Sequence, residues 1–173
     1  MNKTANAPRP SKAAKAEADV LSELRPGQSV ELLKELHILT REGRLNQDSR
    51  RKLKQVYHLF QFIEKLLREL PDEGANASLA DHGAGKSYLG FIIYDLFFKQ
   101  GGAGQVYGIE TRAELVDKSR LLARHLGFDR MAFLNLTVAE SATAAELPSQ
   151  IDVVTALHAV SYTHLTLPTN REV

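Results

Sequence analysis

Residues 78–159 are predicted to form an α/β fold, a doubly wound and mainly parallel sheet of about four strands behind an all-helical N-terminal segment. The first observation is a glycine turn between a short apolar strand and an apolar helix, in Ser78-Leu-Ala-Asp-His-Gly-Ala-Gly-Lys-Ser-Tyr-Leu-Gly-Phe91. The second is a strand that ends in an acid, Gln105-Val-Tyr-Gly-Ile-Glu110. The third is the order β-α-β-α-β-loop-β along the chain, which predicts parallel strands with right-handed connections.

The N-terminal segment is predicted to hold three helices behind a polar tail. Residues 1–10 are expected to be disordered, and a first helix is expected from Ser11 to Leu24. Ser29 is a predicted N-cap for a second helix that ends near Gly43. The third helix has apolar residues at steps of three and four until Pro71 ends it. These residues are Leu53, Val56, Tyr57, Phe60, Ile63, Leu67 and Leu70.

Beyond the glycine turn, two helices and two further strands are predicted. Residues 88–98 are apolar on nearly every side, as in a helix buried against a parallel sheet. Thr111-Arg-Ala-Glu114 is a capping-box pattern for the next helix, and Gly127 is expected at its C-terminal end. Residues 131–136 and 151–157 are the predicted third and fourth strands.

Composition excludes several classes of protein. The chain has no Cys and therefore neither disulfides nor a thiolate metal site. No apolar run reaches the roughly 18 residues of a membrane span, and the polar N-terminus lacks the apolar core of a signal peptide. We therefore expect a cytoplasmic protein without a membrane partner. His37, His58 and His125 share no metal-ligand spacing, so no metal site is predicted.

Charge is distributed unevenly between the two halves. Residues 1–70 contain 14 Lys and Arg against 9 Asp and Glu, a net of +5, whereas residues 71–173 have a net of −4. The asymmetry favours contact between the front half and a polyanion such as RNA, and an ordinary solvated helix face is the alternative. The cations that would make this contact are Arg44, Arg50, Arg51, Lys52 and Lys54.

The glycine turn, the helix after it and the terminal acid together predict a nucleotide or nucleoside site. Gly85-Lys-Ser87 suggests a P-loop, but that loop needs a glycine at position 80, where the chain has Ala. A dinucleotide fingerprint needs a glycine at position 88, where the chain has Tyr. A P-loop NTPase is therefore a less favoured alternative.

Two motifs with an acid between them decide which nucleoside we expect. They are Asp81-His-Gly-Ala-Gly-Lys-Ser-Tyr-Leu89 and Ala156-Leu-His-Ala159, with Glu110 between them. With these residues the chain resembles the class I S-adenosylmethionine-dependent methyltransferases, which have a Rossmann-like fold, over roughly residues 79–159. The closest subgroup has the motifs D-x-G-x-G-K-G-x-L and A-L-H-A, so that this chain keeps D-x-G-x-G-K-x-x-L. Ser87 replaces the usual third glycine of that pattern, and His82 replaces an apolar residue.

The resemblance implies roles for particular residues toward S-adenosylmethionine. Asp81 would hold the methionine amino group, and Gly83 and Gly85 would pass beneath the methionine and ribose. Glu110 would accept hydrogen bonds from both ribose hydroxyls.

Three further residues have implied roles around the adenine and the methyl group. Thr137 and Val138 would flank the adenine, and His158 would stand where the methyl group leaves, as the single weak catalytic candidate. Simpler interpretations remain open: Asp81 as a helix cap, Glu110 as a solvated strand end, Thr137 as a loop residue and His158 as structural.

The resemblance also sets expectations for domains and activity. Residues 11–70 would form the helical segment, 71–77 the linker and 78–159 a partial methyltransferase domain. Residues 160–173 do not continue the family pattern and resemble a translated sequencing adapter. We therefore expect a non-native tail after a truncation and an inactive or poorly soluble fragment, and a genuine divergent tail is the alternative.

The expected function is S-adenosylmethionine-dependent methyl transfer with RNA as the favoured acceptor. The alternative is a nucleic-acid- or protein-binding module with a vestigial nucleoside site.

Overall fold

The computed structural model describes residues 20–156 and contains a four-stranded parallel sheet. Its strands are β1 (Ser78–His82), β2 (Gln105–Ile109), β3 (Met131–Leu134) and β4 (Val153–Thr155), in the spatial order β3-β2-β1-β4. The chain moves outward from β1 through β2 to β3 and then returns to the other side of β1. This order confirms the predicted Rossmann-like α/β fold, and ligands of such sheets bind at the carboxyl ends of the strands, where the order reverses.

The described residues fall into two compact units. The helical unit comprises residues 20–75 and 91–102, and the sheet unit comprises residues 76–90 and 103–156. Within residues 20–156, no helix combines the length and apolar character needed to cross a membrane.

The helix predicted to begin after Ser29 is shorter than the sequence predicts. Residues 20–23 are helical, and α1 (Val30–Glu35) begins after Ser29, whose hydroxyl accepts the Leu32 N–H at 3.1 Å as expected of an N-cap. The predicted end near residue 43 is wrong, because His37 has a φ of 54° and the N–H groups of residues 37 and 38 return to carbonyls of the last turn. This left-handed ending closes the helix without a glycine.

The long amphipathic helix α2 (Gln47–Arg68) confirms the strongest periodic pattern of the sequence. Asn46 caps it by accepting the Ser49 N–H at 2.8 Å. Its apolar face is buried at Leu53, Phe60, Ile63 and Leu67. After α2, a short 3₁₀ turn follows at Pro71–Gly74.

The remaining helices are α3 (Tyr88–Leu96), α4 (Ala113–His125) and α5 (Val138–Ser141). Helix α3 is apolar and buried as predicted, and Gly127 follows the end of α4 with a φ of 67°, also as predicted. The predicted capping box of α4 is wrong: its N-cap is Arg112, which makes no side-chain cap bond. The Thr111 hydroxyl donates to the Glu110 carboxylate instead of capping the helix.

Two strand predictions were too long, and part of one lies beyond the described residues. The third strand ends at Leu134 rather than at residue 136, and the fourth covers Val153–Thr155. Residues 157–173, and with them His158 and the expected tail, lie outside the described part of the chain. The same holds for residues 1–19, which include most of the first predicted helix.

Candidate functional site

The glycine turn leaves the carboxyl end of β1 and is bound to the end of β2. Gly83 and Gly85 have φ angles of 64° and 57°, which a residue with a Cβ adopts only at a cost. The Ala84 N–H donates to the Ile109 carbonyl at 3.1 Å, and the Gly85 N–H donates to Oε2 of Glu110 at 2.8 Å. These two hydrogen bonds therefore hold the turn against the end of β2, although along the chain β1 and β2 are separated by α3.

Glu110 is a buried, ionised acceptor at the carboxyl edge of the sheet. Its accessible fraction is 6%, and Arg112 donates to Oε1 from Nε at 3.1 Å and to Oε2 from Nη2 at 3.2 Å. The hydrogen bond from the Arg112 side chain, aided by the backbone N–H groups of Arg112 and Gly85, lowers the pKa of Glu110 from 4.5 to about 2, against the opposing effect of burial. The carboxylate therefore stays charged at any physiological pH.

Asp81 is the second buried carboxylate at this edge, with an accessible fraction of 4%. It lies opposite Thr155 in the parallel pairing of β1 and β4, and the Thr155 hydroxyl donates to Oδ1 at 2.8 Å. The pairing brings residues far apart in sequence together because parallel strands end at the same edge. Thr155, the last residue of β4, thus orients Asp81, the first residue of the glycine motif.

Asn135 holds the loop that carries Glu110. Its Nδ2 donates to the Glu110 carbonyl at 3.0 Å and to the Thr111 carbonyl at 2.8 Å. Asn135 follows the end of β3, the next strand in the sheet. Glu110 is therefore held by the glycine turn, by the N-terminal end of α4 and by the residue that follows β3.

Thr137 and Val138 lie at the start of α5, just beyond the carboxyl end of β3. The Thr137 hydroxyl accepts the Glu140 N–H at 3.2 Å and donates to Oε2 of Glu140, which in turn accepts the Thr137 N–H at 2.7 Å. These bonds form a capping box, the motif that was expected at residue 111 and is absent there. Thr137 is therefore the N-cap of α5 and not a simple loop residue.

Ser87 and His82, the two departures from the motif, both carry buried polar atoms without partners in the described part of the chain. Ser87 has a φ of 52° and no accessible surface, and its Oγ makes no hydrogen bond. The His82 Nδ1 is likewise buried and unpaired, and burial lowers the pKa of this imidazole below its usual value. Both residues are therefore local costs to stability.

The sheet edge brings together the residues on which the sequence prediction depends. Asp81, Gly83, Gly85 and Glu110 lie at the ends of the adjacent strands β1 and β2, whereas His158 is outside the described residues. Sequence reasoning missed three supporting residues, Arg112, Asn135 and Thr155. Their one shared signal was position: each is a polar residue at or within three residues of a strand end.

These residues fit a nucleoside that carries a diol. A Cβ added to Gly83 would meet no atom within 4 Å, so the turn is open to a ligand at this position. The adjacent Glu110 carboxylate is an acceptor-only group, which suits two hydroxyl donors.

A protein-family model described as a methyltransferase domain matches residues 51–166 of this chain, well over half of its length. The chain belongs to this family. S-adenosylmethionine is therefore the cofactor of this methyltransferase domain. The family match gives no support to an NTPase or to a binding module with a vestigial nucleoside site.

Several solved structures are similar to the methyltransferase domain. The YcgJ protein of Bacillus subtilis has 19% identity over 58% of this chain and 37% of its own, with a TM-score of 0.42. A protein of Listeria monocytogenes described as a class I S-adenosylmethionine-dependent methyltransferase has 21% identity over 57% of this chain and 29% of its own, with a TM-score of 0.43.

A protein-L-isoaspartate O-methyltransferase has 16% identity over 53% of this chain and 26% of its own, with a TM-score of 0.40. The matched region therefore spans little more than a third of these structures at most. No curated protein sequence matches the chain.

Proposed function

We propose that this chain binds S-adenosylmethionine as part of a methyltransferase activity toward RNA. The observation that carries the proposal is the bond between the Gly85 N–H and the buried Glu110 carboxylate, at the carboxyl edge of a parallel sheet in a chain of the methyltransferase family. This arrangement places an open glycine turn beside a charged acceptor, as a ribose-containing ligand requires.

Four residues would bind the cofactor from the glycine turn and the strand ends. Glu110 would accept the ribose hydroxyls, and Asp81 would accept the methionine amino group, because both are buried carboxylates at the same edge. Gly83 and Gly85 would let the ligand approach the backbone, where a side chain would stand in its way.

Thr137 and Val138 would contact the adenine from the start of α5. The Thr137 hydroxyl is already bonded within the capping box, so its contribution would come from its backbone and methyl group, with Val138 as the apolar wall. Bound S-adenosylmethionine supplies a methyl group that its sulfonium sulfur already activates. The task of the protein is accordingly to bind and align the two reactants.

Calorimetric titration of the 173-residue chain with S-adenosylhomocysteine tests the cofactor site. We expect binding in the micromolar range that Glu110→Ala and Asp81→Ala each weaken at least tenfold. Asp129→Ala is the control, since it removes an exposed acid that precedes β3, at the amino end of the strands. Equal affinity of the wild-type chain and Glu110→Ala, or binding of Mg-ATP alone, would disprove the proposed site.

The proposed RNA contact lies at the start of α2 in the helical unit. Two of the five cations named from the sequence are paired: Arg50 with Glu23 at 2.8 Å, and Lys52 with Asp48 at 2.9 Å. Within residues 20–156, Arg44, Arg51 and Lys54 are exposed and form no ion pair, and the last two lie on α2 itself. Arg51 and Lys54 would meet phosphates along the exposed face of α2, with Arg44 just before the helix.

Aromatic groups on α2 support a single-stranded partner. Phe62 is 60% exposed, and the His58 ring packs edge to face against it with a centroid distance of 4.9 Å. Both residues are exposed on the same helix as Arg51, Lys54 and Lys65, and unpaired bases stack on such rings.

Fluorescence anisotropy with a labelled, unstructured RNA oligonucleotide at several salt concentrations tests this surface. We expect the double variant Arg51→Ala/Lys54→Ala to bind more weakly and to reduce the salt slope by about 1.4, the value for two lost phosphate contacts. The control is Lys118→Ala/Arg124→Ala, which removes two exposed cations from α4. An equal loss in both double variants would show that binding depends on net charge alone.

A further inference from the structure

We propose that the Arg112 guanidinium occupies the acceptor positions of Glu110 that the ribose of the cofactor needs, and that the cofactor binds by displacing it. The inference rests on the proposed function, because it takes Glu110 as the ribose acceptor. Arg112 would then set the affinity of the site for its cofactor.

The Glu110 carboxylate is saturated in the structure. Oε1 accepts from the Thr111 hydroxyl at 3.2 Å and from both the backbone N–H and Nε of Arg112 at 3.1 Å. Oε2 accepts from the Gly85 N–H at 2.8 Å and from Nη2 of Arg112 at 3.2 Å. Five donors thus share about four lone-pair sites, and a ribose diol would add two more.

The donors divide into fixed and movable ones. The Gly85 N–H is held by the glycine turn, which Ala84 ties to β2, and the Arg112 N–H is held at the N-cap of α4. The Arg112 side chain is 60% exposed, and the Thr111 hydroxyl can rotate. When these two groups leave, the fixed N–H groups and two ribose hydroxyls fill the four sites of the carboxylate.

The guanidinium also lies beside the turn at Gly85, while the turn is open at Gly83. Its Nη2 is 3.7 Å from the position that a Cβ of Gly85 would take, beside Oε2 of Glu110 at 4.0 Å. Movement of the side chain would therefore uncover both the acceptor and the backbone of Gly85. Glu114, which attracts the guanidinium from the first turn of α4, offers the released Arg112 another anion.

The binding experiment compares S-adenosylhomocysteine affinities of the full chain and three variants by calorimetry at pH 7.5. We expect Arg112→Ala to bind at least threefold more tightly than wild type, and Arg112→Lys, which cannot fork across two oxygens, to lie between them. Arg124→Ala removes an exposed cation from the same helix and should leave the affinity unchanged.

A second measurement follows Arg112 itself. In ¹⁵N-edited spectra of the wild-type chain, the Arg112 Nε–H signal, assigned by its loss in Arg112→Lys, should shift and exchange faster with water as S-adenosylhomocysteine is added.

Unchanged or weaker binding by Arg112→Ala, or an Arg112 signal that the ligand does not move, would overturn the proposal and leave the proposed function intact. Binding that Glu110→Ala does not alter would overturn the proposed function, and this inference with it.

Discussion

Gly85 and Glu110 are joined by a hydrogen bond of 2.8 Å from the backbone N–H of the glycine to Oε2 of the acid. The bond links the turn after β1 to the end of β2. The shape of the turn and the charge of the acid therefore depend on each other. Predictions about stability and about binding both follow from this link.

The charge of Glu110 should stabilise the fold above about pH 4.5. Because the pKa of Glu110 is lowered from 4.5 to about 2, its contribution is fully present above the unfolded value and disappears as the pH falls toward 2. The lowered pKa corresponds to a contribution of Glu110 to the free energy of unfolding of at most about 3 kcal/mol. Urea unfolding should show Glu110→Gln less stable at pH 7, with the difference shrinking between pH 4.5 and 2.

Glu114→Gln is the control for this experiment, since Glu114 is an exposed acid on the same helix. At pH 7 its free energy of unfolding should stay close to that of wild type. A Glu110→Gln deficit that persists undiminished at pH 2 would mean that packing, and not charge, is responsible.

Gly83→Ala should separate stability from cofactor binding. The added Cβ meets no atom within 4 Å, so the cost is the left-handed φ of 64°, about 1 kcal/mol. The methyl group would stand on the open face of the turn and should weaken S-adenosylhomocysteine binding at least tenfold. Calorimetry and thermal unfolding of the same sample measure both effects.

Gly127→Ala is the control for Gly83→Ala. Gly127 has a φ of 67°, and a Cβ there also meets nothing within 4 Å, but it lies at the far end of α4. It should lose similar stability and bind normally. If both variants bind equally well, Gly83 does not face the ligand.

Ser87→Gly should stabilise the protein. The substitution relieves a φ of 52° and removes a buried Oγ without a described partner, gains of about 1–2 kcal/mol each, offset in part by the greater freedom of glycine in the unfolded chain. Ser87→Ala removes only the hydroxyl and should gain less. Denaturant midpoints compare the stability of wild type and the two variants. A Ser87→Ala variant that is less stable than wild type would show that the hydroxyl forms a hydrogen bond.

His82→Val should reduce the loss of stability in mild acid. Because burial lowers the pKa of His82, the folded state favours the neutral ring, and stability falls as the pH drops below the unfolded value near 6.5. Val suits a strand end and removes the unpaired Nδ1, so we expect a gain of about 1 kcal/mol at pH 7 that grows toward pH 5.5. A gain at pH 7 that does not grow toward pH 5.5 would show that the titration of His82 does not contribute.

The sequence by itself determined the order of the elements, the parallel sheet and the carboxylates at its edge. Apolar periodicity marks α2, and a glycine turn followed by a strand with a terminal acid marks the nucleoside site through Asp81, Gly85 and Glu110. Such signals are local, since each depends on residues within one element or one turn.

Tertiary structure alone decided what holds those carboxylates. Thr155 reaches Asp81 because β4 pairs with β1, and Asn135 holds the Glu110 loop because β3 lies beside β2. The same is true of the early end of α1 at His37 and of Thr111, which bonds to Glu110 rather than capping α4. Strand pairing and competition between donors arise only when distant segments meet, and no local pattern in the chain contains them.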